Sequence, residues 1–488
     1  MQTKILNGIF IIMVMAFSSC NKWLDVQPKG EILLTSASDY GLLFDNITSY
    51  DNTDIAYLDD EGWRNASNIS AVWNSWNLTA ANMLYLSNAE YDRSLNANGN
   101  TGTTGTSFFQ LMYQRISKTA NSIIYAKDKM TGTEAEKKSV IAEAKMLRAY
   151  SYFLMINVYA KPYVAATAAT DGGVPLKLDP FIETEPDPAK STVAEVYAQI
   201  EKDINEAIPD LNINAKTPYR FNKAAAYALL AKVHLFKKEF DASLAAAIES
   251  NKLSSKLYNL VSLVNTSTNK PTSPIYANGD ENLYFATTFS GTVIGQELIN
   301  LFKAGLQSYG QAATVTDSRL DLYKRPTSST KDYMFMVNWT PTAKEFASNT
   351  AGFTTTEVML MMAECYARMG QNDKVKEVLK PYFESRYRNY NHANLTLPSD
   401  VTSTVQMVIN ERRKELARGW NRFMDLKRLN TETEYQKVPS RLFPADQAGS
   451  PTMPQQTYTL PVKSPLYILP FPSKVLENDP RLTSNTWD

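Results

Sequence analysis

The most constraining feature of the sequence is a stripe of apolar and small residues between Glu134 and Tyr159. Its members follow one another at alternating spacings of four and three positions: Val140, Ala144, Leu147, Ser151, Leu154 and Val158. This spacing places all six side chains on one face of an α-helix. The small members let a neighbouring helix approach closely, so the stripe predicts a helix that packs against other helices.

Pairs of helices recur along the chain. Residues 108–130 carry a similar apolar face, and a turn at 131–133 would join them to the following helix as a hairpin. Three further signals are a capping box of Thr192 and Glu195 before a helix to about Pro209, two helices within 221–250 joined near Lys238, and two within 354–379 joined at Gly370. Recurring hairpins predict a mainly α fold of tetratricopeptide-like helical hairpins with minor β structure.

Long irregular insertions interrupt this pattern. Residues 31–107, 253–350 and 431–488 are rich in polar and turn-forming residues, whereas the helical scaffold covers about 108–252 and 353–430. We expect residues 20–488 to form a single domain. Loops on a rigid scaffold commonly carry the binding residues of a protein, so we expect function in the insertions.

The amino terminus resembles a secretory signal that ends at a cysteine. Lys4 precedes an apolar run from Ile5 to Phe17, and two serines separate this run from Cys20. The run is shorter than the roughly 20 residues that span a bilayer. Residues 1–19 are therefore predicted to be a signal peptide, and Cys20 resembles the acylated first residue of a bacterial lipoprotein. An ordinary cleaved signal with an incidental thiol is the alternative.

Composition and the rarer residues argue against several classes of function. Lysine and arginine together number 50, as do aspartate and glutamate, so no basic excess favours nucleic acid. Of the two histidines, His234 lies in an alanine-rich helix and His392 in a polar turn, while Cys365 fits a small buried hydrophobe. We therefore predict no metal site, no cofactor and no enzyme activity. A glycoside hydrolase needs only two carboxylates and stays open as an alternative.

Six segments in order resemble the SusD/RagB family. They are AEAKMLRAYSYFLMINVY (142–159), GGVPL (172–176), RFNKAAAYALLAKVHLF (220–236), EVMLMMAECYARMG (357–370), ERRKELARGWNRFMDLKRLN (411–430) and LPFPSKVLENDP (469–480). The resemblance covers nearly all of the mature chain. The sequence departs from it at Gly419 and Trp420, where the family commonly has glutamate and glycine.

The resemblance implies a nutrient-binding lipoprotein of the bacterial outer membrane, exposed at the cell surface. Such a protein would bind an oligosaccharide and deliver it to a SusC-like TonB-dependent transporter. A peptide ligand is the main alternative, because some relatives of this family take peptides. A scaffold that binds only other proteins is a further alternative.

Aromatic residues in the insertions are the candidate ligand contacts, because a sugar offers C–H faces that stack on a ring while its hydroxyls bond polar neighbours. The candidates are Trp63, Trp73, Trp76, Tyr323, Tyr333 and Trp339. Burial in the core is the alternative for each of them.

Two arginine pairs in the segment 411–430 are interpreted as structural. Arg412 with Glu415 and Arg422 with Asp425 lie three residues apart, the spacing at which side chains meet along a helix. An anion site for the ligand is the alternative.

Overall fold

The computed structural model describes residues 34–45, 47, 50, 60–63, 108–180, 190–265, 270–271, 279, 281–287, 293–323, 349–417, 419–443 and 456–487. Within these residues the fold is mainly helical. The α-helices are α1 (Ala37–Leu42), α2 (Phe108–Tyr113), α3 (Ser122–Tyr125), α4 (Glu134–Tyr159), α5 (Val193–Ala207), α6 (Lys223–Lys237), α7 (Phe240–Leu253), α8 (Leu260–Leu263), α9 (Gln296–Ala304), α10 (Ser318–Tyr323), α11 (Thr355–Arg368), α12 (Asn372–Arg386), α13 (Val401–Glu415), α14 (Asn421–Leu429) and α15 (Ser473–Asn478).

Short strands form two-stranded antiparallel ladders in the described part of the chain. The paired strands are β1 (Gly62–Trp63) with β7 (Val293–Ile294), β2 (Gly172–Pro175) with β3 (Lys190–Thr192), β4 (Val264–Asn265) with β5 (Lys270–Pro271), β6 (Asn282–Tyr284) with β9 (Phe353–Thr354), β8 (Thr316–Asp317) with β10 (Tyr387–Arg388), and β11 (Ser440–Phe443) with β12 (Gln456–Thr459). Several of these ladders join segments that are far apart in the sequence, so they tie insertions to the scaffold.

Local signals set the helix boundaries that the sequence predicts. Thr133 and Thr192 each cap a helix with a hydroxyl that accepts from a backbone N–H, and a glutamate three residues later completes each capping box. Helix α6 is terminated by the next residue, Lys238, which adopts the left-handed conformation. Helix α11 ends shortly before Gly370, which has φ of 70°. The structure therefore confirms the predicted pairs α6–α7 and α11–α12, and it confirms α4 and α5 as helices.

Helix α11 connects the two largest parts of the core. It packs against α7 on one side and against α12 and α13 on the other. Its side chains are buried nearly all round, including Met361 and Cys365 at 0 % exposure. Burial also raises the pKa of the Cys365 thiol to about 12, so the prediction of a small buried hydrophobe is confirmed.

One helix differs from its prediction. Residues 108–130 do not form a single α-helix, because α2 continues into a π-helix over Gln114–Asn121 before α3 and a 3₁₀ turn over Ala126–Asp128. The wider turn buries Asn121, whose side-chain amide donates to the carbonyls of Lys177 and Asp179 at 3.0 and 2.9 Å. Tertiary hydrogen bonds thus accompany the departure from regular helix.

The mainly α fold class is confirmed, with minor β structure. The tetratricopeptide-like stacking and the division into one domain over 20–488 stay predictions. Among the described residues, the structure contains no helix long and apolar enough to cross a membrane.

Candidate functional site

Within the predicted insertions 31–107 and 253–350, residues 64–107 and 324–348 carry four of the six aromatic candidates. These two stretches are called the first and second aromatic-rich insertions below. Strand β1 directly precedes the first of them. Trp63 ends this strand and is followed directly by residues 64–107. Gly62 lies opposite Ile294 and Trp63 opposite Val293. The N–H of Gly295 also donates to the carbonyl of Glu61 at 2.8 Å. The backbone that carries Trp63 is therefore held against residues 293–295, which directly precede helix α9.

Two arginines, Arg422, which is buried, and Arg413, which is largely buried, hold the carboxylates that precede β1. Arg422 donates to both oxygens of Asp60 at 2.6 and 2.8 Å. Arg413 donates to both oxygens of Glu61 at 2.6 and 3.3 Å. The planar guanidinium suits such two-point contacts, which fix orientation as well as distance. The partners are separated by 362 and 352 residues in the sequence, so the pairs join the first insertion to the scaffold.

The charges around Asp60 favour its ionised form. Burial opposes ionisation, but the positive charges of Arg422, Lys437 and Arg413 together hold the pKa of the Asp60 carboxyl below its usual value. The Lys437 ammonium lies 2.9 Å from this carboxylate. The negative charges of Asp60 and Glu61 are thus balanced by arginine and lysine side chains of the protein itself.

The second aromatic-rich insertion extends from Tyr323, the last residue of α10. Its ring centroid lies 5.9 Å from that of Phe302. The half-buried Tyr323 side chain packs against a small apolar cluster, which we call the insertion-base cluster: Ile294, Leu298, Ile299, Phe302 and Ala417. Ile294 of this cluster lies in the strand that pairs with β1. The structure therefore brings the starting points of both insertions to one cluster.

The carboxyl ends of both insertions return to the same region. Phe108 follows residues 64–107, and its ring lies 4.8 Å from the ring of Trp420 in an edge-to-face arrangement. Thr350, shortly after residues 324–348, packs its carbonyl oxygen against Gly419 so closely that a Cβ at this glycine would overlap it. Gly419 also has φ of 85°, which favours glycine.

All four ends therefore lie around residues 413–422, the segment between α13 and α14 with its flanking residues. Arg413 and Arg422 bind the start of the first insertion, Ala417 belongs to the insertion-base cluster, and Gly419 and Trp420 contact the returning chain. The departure from the family pattern at Gly419 and Trp420 falls at these contacts. This role was not predicted from the sequence, because the spacing of the charged residues in 411–430 suggested only ion pairs within one helix.

The structure corrects the predicted arginine partners. Arg412 binds Asp425 at 2.8 Å and Glu357 at 3.2 Å instead of Glu415. Arg422 binds Asp60 instead of Asp425. Each guanidinium is buried and reaches a carboxylate of another element, where it adds to the cation that already lies beside that carboxylate. The burial of Arg412 and Arg422 agrees with the structural interpretation. Their carboxylate partners, however, lie in other elements of the structure and not one turn away in the same helix.

The remaining candidates lie outside the described residues. These are Cys20, Trp73, Trp76, Tyr333 and Trp339, together with the side chain of Trp63. One crevice in the described structure lies beside Phe44, Leu147, Tyr219 and Phe221 and has about 10 Å³ of free volume. That volume holds about one water molecule, so this crevice does not fit a sugar ring.

Two sequence models of one family match the chain in succession. Residues 22–235 match a SusD-like model described as "Starch-binding associating with outer membrane", and residues 247–487 match the model of the SusD family. This chain belongs to the SusD family. The family is one of carbohydrate-binding proteins associated with the outer membrane.

Solved SusD structures share the fold over nearly the whole chain. A SusD superfamily protein from Bacteroides vulgatus has a TM-score of 0.65 at 18% identity, covering 92% of this chain and 99% of its own. One from Bacteroides thetaiotaomicron has a TM-score of 0.62 at 17% identity, covering 92% and 100%. A laminarin-binding SusD-like protein has a TM-score of 0.53 at 18% identity, covering 91% and 96%. A comparison with curated proteins gives no match.

Proposed function

We propose that this SusD-family protein captures oligosaccharides at the cell surface and delivers them to a SusC-like TonB-dependent transporter. The observation that carries the proposal is that the described residues flanking both aromatic-rich insertions meet around residues 413–422. Family membership supports the carbohydrate ligand, and the laminarin-binding relative shows that this fold binds a glucan in another protein.

Holding the ends of the two insertions in place is expected to strengthen carbohydrate binding. Individual sugar contacts are weak, because hydroxyl groups exchange hydrogen bonds with water for hydrogen bonds with protein. Binding is stronger when the contacting groups are already held in place before the ligand arrives. The buried pairs of Asp60 and Glu61 and the packing of Tyr323 supply such a base for the aromatic candidates that follow them.

The proposed role is binding without chemistry on the ligand. The family and its named relatives are binding proteins. An acyl chain on Cys20 would hold the protein on the outer membrane, and import energy would come from the transporter.

Ligand binding is tested with the purified full chain by calorimetry against starch-derived oligosaccharides, laminarin oligosaccharides and a panel of peptides. We expect saturable binding of a glycan and an unchanged ligand after incubation. The tested alanine variants replace Trp63, Trp73, Trp76, Tyr323, Tyr333 and Trp339 one at a time. Loss of a central aromatic contact typically costs about 2 kcal/mol or more, which is roughly a 30-fold loss of affinity.

Trp487→Ala is the matched control, because this half-buried ring has its centroid 5.7 Å from that of Tyr467 and lies outside residues 64–107 and 324–348. If every aromatic variant binds as the parent does, the site assignment is wrong. Binding of peptides alone would support the peptide alternative, shortened glycans would reveal a hydrolase, and no small ligand at all would favour a protein-binding scaffold.

The lipid anchor has a separate test. Mass spectrometry of the amino-terminal peptide from the native membrane should show acyl chains on Cys20, and Cys20→Ser should move the protein out of the membrane fraction. An unmodified Cys20 in membrane-derived protein would contradict the proposed anchor without bearing on glycan binding.

A further inference from the structure

The turn between α6 and α7 brings together a histidine and a glutamate, His234 and Glu239. Lys238 occupies the left-handed conformation with φ of 64°. The N–H of Glu239 donates to the carbonyl of His234 at 2.9 Å, and the N–H of Lys238 donates to the carbonyl of Leu235 at 3.1 Å. This pair of bonds is the Schellman ending of a helix. It fixes the backbone of His234 and Glu239 relative to each other.

The side chains of these two residues point to one place. His234 Nδ1 lies 2.6 Å from Glu239 Oε2. Glu201 joins them from the neighbouring helix α5, and one ligand atom from each of the three residues lies within 4.8 Å of the others. The three side chains are half-buried or exposed, so an ion from solvent can reach them.

A positive charge of the protein itself already lies between the two carboxylates. The Lys237 ammonium is 2.6 Å from Glu201 Oε1 and 2.8 Å from Glu239 Oε1. The carboxylates therefore converge on a point that binds a cation, and the imidazole lies beside it.

We propose that Glu201, His234 and Glu239 form a binding site for a divalent transition-metal ion of the zinc type, which displaces the Lys237 ammonium. One imidazole nitrogen and two carboxylate oxygens suit Zn²⁺, whereas Ca²⁺ and Mg²⁺ prefer oxygen ligands alone. Three protein ligands would leave a fourth position for water. Small shifts are sufficient, because ligand atoms around one zinc ion lie roughly 3 to 3.5 Å apart at metal bonds of about 2 Å.

Competition between Lys237 and the metal distinguishes this site from an adventitious one. A metal ion must break both ammonium contacts before it binds, so the lysine lowers the affinity of the site. Replacement of Lys237 by methionine keeps the length of the side chain and removes its charge. The proposal therefore predicts tighter Zn²⁺ binding by Lys237→Met and weaker binding by His234→Gln.

The experiment is calorimetric titration of the untagged full chain with ZnCl₂ at pH 7 in a buffer that does not bind zinc. We expect one saturable site whose affinity falls about tenfold or more in His234→Gln and in Glu201→Gln, and rises in Lys237→Met. His392→Gln is the matched control, because His392 lies apart from this cluster with its Nδ1 3.0 Å from the Tyr390 hydroxyl, and it should bind as the parent does.

Absence of saturable Zn²⁺ binding in the parent would overturn the proposal. Equal affinity in His234→Gln and the parent would also overturn it, as would weaker binding in Lys237→Met. Thermal unfolding of each variant without metal shows whether it is folded. If His234→Gln is not folded, Glu201→Gln decides the question, since its side chain belongs to a different helix.

Discussion

At the scale of single residues, Lys427 is a buried amine that forms no ion pair with any carboxylate of the described residues. Its side chain is 0 % exposed, and its Nζ donates to the carbonyls of Asn157 and Ala160 at 2.5 and 2.8 Å, at the carboxyl end of α4. A neutral amine has two N–H donors, which match these two acceptors. Burial lowers the pKa of Lys427 to about 7, so this residue should make stability depend on pH.

We expect the stability of the protein, relative to Lys427→Met, to rise between about pH 7 and pH 10.5. In this interval the folded amine is mostly neutral, whereas the unfolded chain keeps the proton, so a higher pH favours the folded state. The slope is at most about 1.4 kcal/mol per pH unit. Guanidinium denaturation of both proteins at several pH values measures it, and a constant difference across the interval would contradict the lowered pKa.

At the scale of elements, the pair of Asp60 and Arg422 joins β1 to α14. Removing one member of a buried ion pair costs about 3 to 5 kcal/mol when the other charge is left without compensation. The Lys437 ammonium stays 2.9 Å from Asp60 and compensates part of its charge. We therefore expect Arg422→Ala to lower the free energy of unfolding by up to about 3 kcal/mol, as measured by chemical denaturation.

The control for that variant is Arg481→Ala. Arg481 binds Asp479 at 2.7 Å, but its side chain is 53% exposed, and such surface pairs contribute about 0 to 1 kcal/mol. Equal effects of the two variants would show that burial of the Asp60 pair does not determine its contribution. Arg422→Ala should also weaken glycan binding if the base of the first insertion positions the ligand contacts.

Two glycines allow the effect of backbone conformation to be separated from that of close packing: Gly370, which follows α11, and Gly419, which lies between α13 and α14. Both have positive φ, with 70° at Gly370 and 85° at Gly419. At Gly370 a Cβ would lie 3.7 Å from Cγ2 of Val401, an ordinary contact distance, so alanine there costs only the conformational penalty of about 1 to 2 kcal/mol. At Gly419 the Cβ would also overlap the Thr350 carbonyl.

We therefore expect Gly419→Ala to destabilise the protein more than Gly370→Ala, with the difference measured by thermal or chemical unfolding. A larger loss at Gly370 would show that the contact with Thr350 relaxes easily. The comparison isolates the contribution of packing at residues 413–422, because the left-handed conformation is common to both positions.

At the scale of the whole molecule, buried ion pairs join helices throughout the core. Glu364 is bound by Arg428 at 2.7 and 2.8 Å, and Glu415 by Arg386 and Arg319 at 2.7 and 2.8 Å. Burial opposes the ionisation of both carboxyls. The neighbouring arginines nevertheless hold the pKa of Glu364 well below its usual value and lower that of Glu415 to about 2.

Because the pKa values of Glu364 and Glu415 are lowered, we expect acid to destabilise the folded protein. Their folded pKa values lie below the unfolded value of about 4.5, so their stabilisation is complete above that pH and is lost as the pH falls towards 2. Burial raises the pKa of Glu143 and Glu281, which act in the opposite direction. We expect the midpoint temperature of thermal unfolding to decrease progressively as the pH is lowered below about 4.5. A midpoint that stays constant to pH 2.5 would contradict the lowered pKa values.

The helices were predictable from sequence because their signals are local. The stripe in α4, the capping boxes at Thr133 and Thr192 and the turn at Gly370 lie within one or two helical turns of the residues they organise. Residues 108–121 show the limit of this reasoning. Their periodicity indicates a helix, but the π-helical segment coincides with hydrogen bonds from Asn121 to a segment more than 50 residues away.

The sequence by itself determined a mainly helical fold and the segments in which aromatic ligand contacts are sought, because periodicity, caps and turn residues act between near neighbours. Tertiary structure alone decided that Arg422 binds Asp60, that the ends of two insertions meet at residues 413–422, and that Glu201 joins His234. Each of these contacts joins residues separated by tens to hundreds of positions. Such pairs form only after packing has brought the helices together, so spacing along the chain does not specify them.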